Sequence, residues 1–181
     1  RDLSRASQVC RSWKASIATS VRIVTLWPAD GCKIKQLRAI LPNVERLVFA
    51  DAMTLMQCGE EDLPSLVHLQ ELQVLAPPQV FPSKLGSAHD ASMVEFCLIA
   101  PHLPHSLTSL SLPLSRIAQG SLSVLEKMTN LTHLDLSRCD WRADAWNWTP
   151  LSDSPMDDWI DFFPPSIVSL HLAHCHVRIF F

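Results

Sequence analysis

The chain has 181 residues, 48% of them apolar, which is enough to bury the core of one ordinary domain and argues against disorder over most of its length. Its formal charge of -3 comes from interspersed acids and bases, and no Lys/Arg run is present that could neutralise a row of phosphates, so nucleic acid is a poor candidate partner. No apolar run approaches the roughly 20 residues needed to cross a bilayer, and the opening Arg-Asp-Leu-Ser-Arg does not read as a secretory signal.

Cys10, Cys32, Cys58, Cys97, Cys139 and Cys175 sit singly, without a CxxC pair. That is neither a disulfide framework nor a zinc ribbon, and it suggests reduced thiols in a cytoplasmic or nuclear protein with no cofactor. The chain starts at Arg1 without a methionine and ends in the apolar run 177–181, which leaves open that both true termini lie outside it. Asn130-Leu131-Thr132 and Asn147-Trp148-Thr149 satisfy the glycosylation acceptor pattern, which matters only in a secreted protein.

In chain order, residues 1–20 open with Asp2-Leu3, then Ala6, Val9-Cys10 and Trp13, apolar positions at the three- and four-residue steps of a short amphipathic helix. From residue 21 onward the pattern apolar-x-x-apolar-x-apolar occurs six times. Its instances are Val21/Val24/Leu26, Val44/Leu47/Phe49, Leu69/Leu72/Val74, Leu107/Leu110/Leu112, Leu131/Leu134/Leu136 and Ile167/Leu170/Leu172. Three of the five spacings fall within about 20 to 29 residues; the other two carry insertions, near 76–105 and 140–165.

The alternating apolar positions of each unit predict a strand with one buried face. A lone strand cannot seal that face, so successive units are expected to stack as a parallel sheet, with helical segments crossing back over the apolar side. Lys33–Leu41, Ala91–Ala100 and Ser121–Met128 have apolar residues at helical spacing and are the candidate crossings. Prolines 42, 64, 104 and 165 precede four of the units by a few residues.

Three residues past the last apolar position of units five and six stand Cys139 and Cys175, while the first four units have no Asn or Cys there. With these cysteines in place, residues 21–181 resemble the leucine-rich-repeat superfamily. The resemblance implies an α/β fold, a right-handed solenoid of about six repeats with a parallel sheet on its concave side, and both cysteines as structural supports of the bend.

Directly ahead of such repeats, RDLSRASQVCRSWKASI resembles the second half of an F-box, with Asp2-Leu3, Val9-Cys10 and Trp13 at the matching positions and the Leu-Pro opening half missing. That resemblance implies docking on a Skp-type adaptor of a cullin-RING ubiquitin ligase through Leu3, Val9, Cys10 and Trp13, with a protein substrate presented on the repeats. A leucine-rich-repeat binding scaffold unrelated to ubiquitination is the alternative, and a helical cap over the first repeat is compatible with both.

On the exposed side of the sheet the residues between the buried leucines should form columns. The central one reads Thr25, Val48, Gln73, Ser111, Asp135, His171. The flanking ones read Ile23, Arg46, Glu71, Ser109, His133, Ser169 and Trp27, Ala50, Leu75, Pro113, Ser137, Ala173. Ser111, His133, Asp135, Arg138, His171 and His174 are the expected partner-binding residues.

Ser111, Asp135 and His171 have the residue types of a nucleophilic triad, but stacking puts the aspartate between the other two, where the mechanism needs the histidine, and no Gly-rich elbow accompanies the serine. No enzymatic activity is therefore expected. His171, His174, Cys175 and His176 crowd together, yet a second ligand pair at zinc spacing is missing and no metal is expected. The insertion 140–165 combines Trp141, Trp146, Trp148 and Trp159 with Asp144, Asp153, Asp157, Asp158 and Asp161, which fits rings packed on the fold or an interface loop.

Overall fold

The computed structural model describes residues 20–27, 42–56, 63–75, 94–142 and 163–178. The helix expected over Lys33–Leu41, the F-box-like segment and most of the Trp/Asp-rich insertion lie outside them.

Six strands form one parallel sheet: β1 (Ile23–Leu26), β2 (Arg46–Phe49), β3 (Glu71–Val74), β5 (Ser109–Ser111), β7 (His133–Asp135) and β9 (Ser169–His171). They lie side by side in chain order, and each pairs in parallel with the next. Short helices α1 (Ala52–Met56) and α2 (Phe96–Ile99) and 3₁₀ helices over Ala100–His102 and Gln119–Lys127 complete a mixed α/β architecture.

The register puts one apolar position of every unit in a single row: Val24, Leu47, Leu72, Leu110, Leu134 and Leu170. From Leu47 to Leu134 these side chains are at most 1% exposed, and they pack in one core with Phe49, Leu112, Leu136 and Phe96. The row exists because strand side chains alternate faces, so identical spacing in neighbouring strands brings identical positions together.

Backbone bonding repeats as regularly as the apolar pattern. At each of the five strand junctions one carbonyl accepts two consecutive N–H groups: Arg22, Glu45, Gln70, Thr108 and Thr132 are the acceptors. A tight turn leads into the strand in four units, closed by Leu69 N–H to Leu66 O, Leu107 to Pro104, Leu131 to Met128 and Ile167 to Pro164. Pro165 suits the second position of its turn because its φ is already set. Ser106 and Ser166 in two of these turns donate to the Leu69 and Leu131 carbonyls of the preceding unit at 2.6 and 2.7 Å.

A second parallel sheet, which the sequence pattern did not predict, contains β4 (Val94–Glu95), β6 (Ser115–Ala118), β8 (Asp140–Arg142) and β10 (His176–Arg178), in the order β10-β8-β6-β4. The last three units reach it through a turn with a left-handed residue, Leu114, Arg138 or His174, at φ near 60°. Such a conformation is unfavourable without glycine by about 1–2 kcal/mol. The Leu114 and Arg138 N–H groups offset that cost by donating to Ser137 and Ala173 of the next unit. Glu95, Arg116 and Asp140 fall in one row of this sheet, with Arg116 and Glu95 ion-paired at 2.8 Å.

Two crossings differ from expectation. Ser121–Met128 lies mostly in the 3₁₀ helix rather than an α-helix: Leu122, Leu125 and Met128 recur every three residues, the 3₁₀ period, and all are fully buried. The described part of Ala91–Ala100 enters as β4 and becomes helical only at Phe96, because Val94 and Glu95 pair with Ser115 and Arg116.

The inward row is also not sealed throughout. Leu170 is 41% exposed and Val168 81%, because β9 is last in the strand order and, among the described residues, nothing stacks on its outer side. Every earlier leucine of the row is walled by two neighbouring strands. Leu134→Ala is therefore expected to lower the unfolding free energy by about 2–5 kcal/mol, and Leu170→Ala by less than half as much, in urea titrations followed by circular dichroism. Equal losses would contradict this difference in burial.

Candidate functional site

The face of the large sheet opposite the core presents two of the expected columns in register across all six strands and the third beside the first strands, with Val48 of the central column buried rather than exposed. Thr25, Val48, Gln73, Ser111, Asp135 and His171 pair one after another across the six strands, and Ile23, Arg46, Glu71, Ser109, His133 and Ser169 do the same. The backbone ladder continues past the first strands, with Ala50 N–H donating to Leu26 O and Leu75 N–H to Phe49 O, so Trp27, Ala50 and Leu75 form the third column there.

The face changes character along the sheet. Its β1–β3 end is apolar and ion-paired: Ile23 and Trp27 are 60% and 58% exposed, Leu75 36%. Between them Arg46 pairs with Glu71 at 3.2 Å and donates to Gln73 at 3.1 Å, and Arg22 pairs with Glu45 at 2.8 Å beside them. These ion pairs are half-exposed and add little stability, but they neutralise the local charge.

The β5–β9 end is lined by hydroxyls, histidines and one carboxylate. Asp135 accepts from Ser111 Oγ at 3.1 Å, from the Ser137 N–H at 3.0 Å and from Ser137 Oγ. Three donors hold the carboxylate in one orientation. Exposed His133 shares a hydrogen bond of 2.8 Å with Thr132 Oγ1, and exposed His171 one of 3.1 Å with Ser169 Oγ.

Of the residues expected to bind a partner, Ser111, Asp135 and His171 are thus direct neighbours, and His133 lies on the same face two residues before Asp135. Arg138 and His174 stand elsewhere, in equivalent left-handed turns past the strand ends. Ser111 bonds to Asp135 directly, and His171 bonds to Ser169, so the imidazole does not link the serine to the aspartate as a nucleophilic triad requires. Among the described residues no group of three or more His, Cys, Asp or Glu side chains is arranged to hold a metal ion, and no helix is long and apolar enough to cross a membrane.

Leu3, Val9, Cys10 and Trp13 lie outside the described residues, as do Trp146, Trp148 and Trp159. Trp141 is buried, 3% exposed, with its ring edge-on to Phe163 at 6.4 Å. Asn130 is exposed and donates to the His105 carbonyl at 3.1 Å.

Behind the face, the strand ends rest on a polar row that the sequence pattern showed only in part. Cys139 Sγ donates to Leu112 O at 3.5 Å and Cys175 Sγ to Leu136 O at 3.1 Å, each reaching the same carbonyl of the unit before. Ser115 occupies the equivalent place in the fourth unit, fully buried, its Oγ donating to Leu112 O at 2.7 Å. A serine hydroxyl thus stands in the fourth unit where units five and six have a cysteine, and it bonds within its own unit.

No family model matches the chain, and no curated protein matches it.

Burial pushes the Cys139 thiol from 9.0 up to about 12, against the smaller opposing effect of hydrogen bonds with Ser115. At neutral pH this thiol is protonated and sheltered, so a thiol reagent should modify exposed Cys97 in the native protein and Cys139 only after unfolding. The unfolded thiol ionises first as pH rises, so stability due to the buried thiol is complete below pH 9 and declines as pH rises toward 12. Thermal melts across that range should show a steeper loss for the native chain than for Cys139→Ser; parallel curves would contradict it.

Proposed function

We propose that the chain is the leucine-rich-repeat solenoid of an F-box-type protein, a substrate-recognition subunit of an SCF-type (Skp, cullin, F-box) ubiquitin ligase. It binds a protein substrate on the exposed face of the six-stranded sheet and performs no chemistry of its own.

The observation that carries the binding reading is the register itself. Six strands in chain order, joined by the same carbonyl-sharing junction five times, support a solenoid of stacked repeats. Such a stack leaves one wide face whose residues are set free of the core: Ile23, Trp27, Ser111, His133, Asp135 and His171 make no part of the apolar row. A face with exposed tryptophan at one end and a fixed carboxylate at the other has the mixture of apolar anchors and polar contacts found in protein interfaces.

The ligase half rests on the resemblance of Asp2-Leu3, Val9-Cys10 and Trp13 to the F-box signature ahead of the repeats. The second reading is a binding scaffold with no link to ubiquitin, which the same sheet face supports equally. Co-purification with a Skp-type adaptor separates them, using the chain with the Leu-Pro half of the motif supplied ahead of Arg1. Adaptor recovered with the chain, and lost on combining Val9→Asp with Trp13→Ala, supports the ligase reading. No adaptor in the complex favours the scaffold.

A further inference from the structure

Resting on the reading that this face binds a protein, we infer that its partner is an extended segment carrying a large apolar residue and, four residues away, an arginine or lysine that pairs with Asp135.

Two features of the face carry this. Trp27, Ala50 and Leu75 stand side by side on consecutive strands, large, small, large. Trp27, 58% exposed, and Leu75, 36% exposed, are set about 10 Å apart, two strand spacings, and flank the smaller Ala50. An apolar side chain seated there would be covered on both sides, as in the pockets that anchor interface hot spots.

The second feature is charge. Arg22, Glu45, Arg46 and Glu71 are matched in opposite-sign pairs. Asp135 is different: its three partners among the described residues are two hydroxyls and an N–H, and none is a cation. His171, next to it in register, is bonded to Ser169 instead, and His133 to Thr132. The result is a half-buried carboxylate of fixed orientation, its charge uncompensated among the described residues. A guanidinium or ammonium group completes it; an acidic partner group is repelled.

Spacing joins the two. Ala50 follows β2 and Asp135 lies in β7, three strand steps away and two residues offset, roughly 16 Å overall. Four residues of extended chain advance about 13 Å and return to the same side. The length of a lysine or arginine side chain spans the remainder.

Selection of a random dodecapeptide library displayed on phage against the immobilised chain tests this, run in parallel on Asp135→Asn and Ala50→Trp. Asp135→Asn keeps an oxygen for the Ser137 N–H, and both variants replace residues outside the core; thermal melts matching the native chain would verify folding. The expected result is enrichment of peptides with a large apolar residue four positions from Arg or Lys, bound at least tenfold more weakly by either variant. Peptides that lose binding to Ala50→Trp but show no basic preference and ignore Asp135→Asn would overturn the inference while leaving the face a binding surface. Peptides indifferent to both substitutions, or no enrichment, would overturn it together with the reading of the face.

Discussion

The stacking of Val24, Leu47, Leu72, Leu110, Leu134 and Leu170 into one row is the constraint on which everything else in the large sheet depends. A slip of one residue in any strand would turn its leucine toward solvent and a polar neighbour into the core. Burial alone does not fix position along the row, since neighbouring apolar residues could substitute. The bonds at both ends of the strands do: the carbonyls of Arg22, Glu45, Gln70, Thr108 and Thr132 each hold two N–H groups at one end. Cys139 and Cys175 hold carbonyls of the preceding unit at the other. Apolar contact supplies most of the driving force and these bonds supply the register.

One consequence is a division of labour between the two sides of a strand. Because alternate residues face away from the core, Ser111, His133, Asp135 and His171 can vary in chemistry without disturbing Leu110 or Leu134. The face therefore combines an apolar end at Trp27 and Leu75 with a polar end centred on Asp135, on a backbone whose geometry is the same at both. A sheet bearing such contrast suits the recognition of a partner, which is the function proposed for it.

The strands and their columns are legible in the sequence because the three-and-two spacing of the leucines encodes both the strand and its inward face. The Ser111–Asp135 neighbourhood follows from that same spacing. Other features leave weaker marks. The second sheet is announced by no glycine or asparagine, since Leu114, Arg138 and His174 take the left-handed turn positions that such residues usually fill. Ser115 does not stand out because serine is common on surfaces, and its burial depends on the β6 pairing that hides it. The exposure of Leu170 follows from strand order, which spacing within a unit does not contain. Nor does spacing tell which donor Asp135 captures, since Ser111, Ser137 and His171 all lie within reach of its column.

Methyl-to-methyl nuclear Overhauser contacts in a chain labelled at leucine test the central row most directly. The account predicts contacts from Leu47 to Leu72, Leu72 to Leu110, Leu110 to Leu134 and Leu134 to Leu170, each leucine seeing its neighbours in strand order. Contacts that skip a member of the row, or a Leu134 with no contact to Leu110, would contradict it.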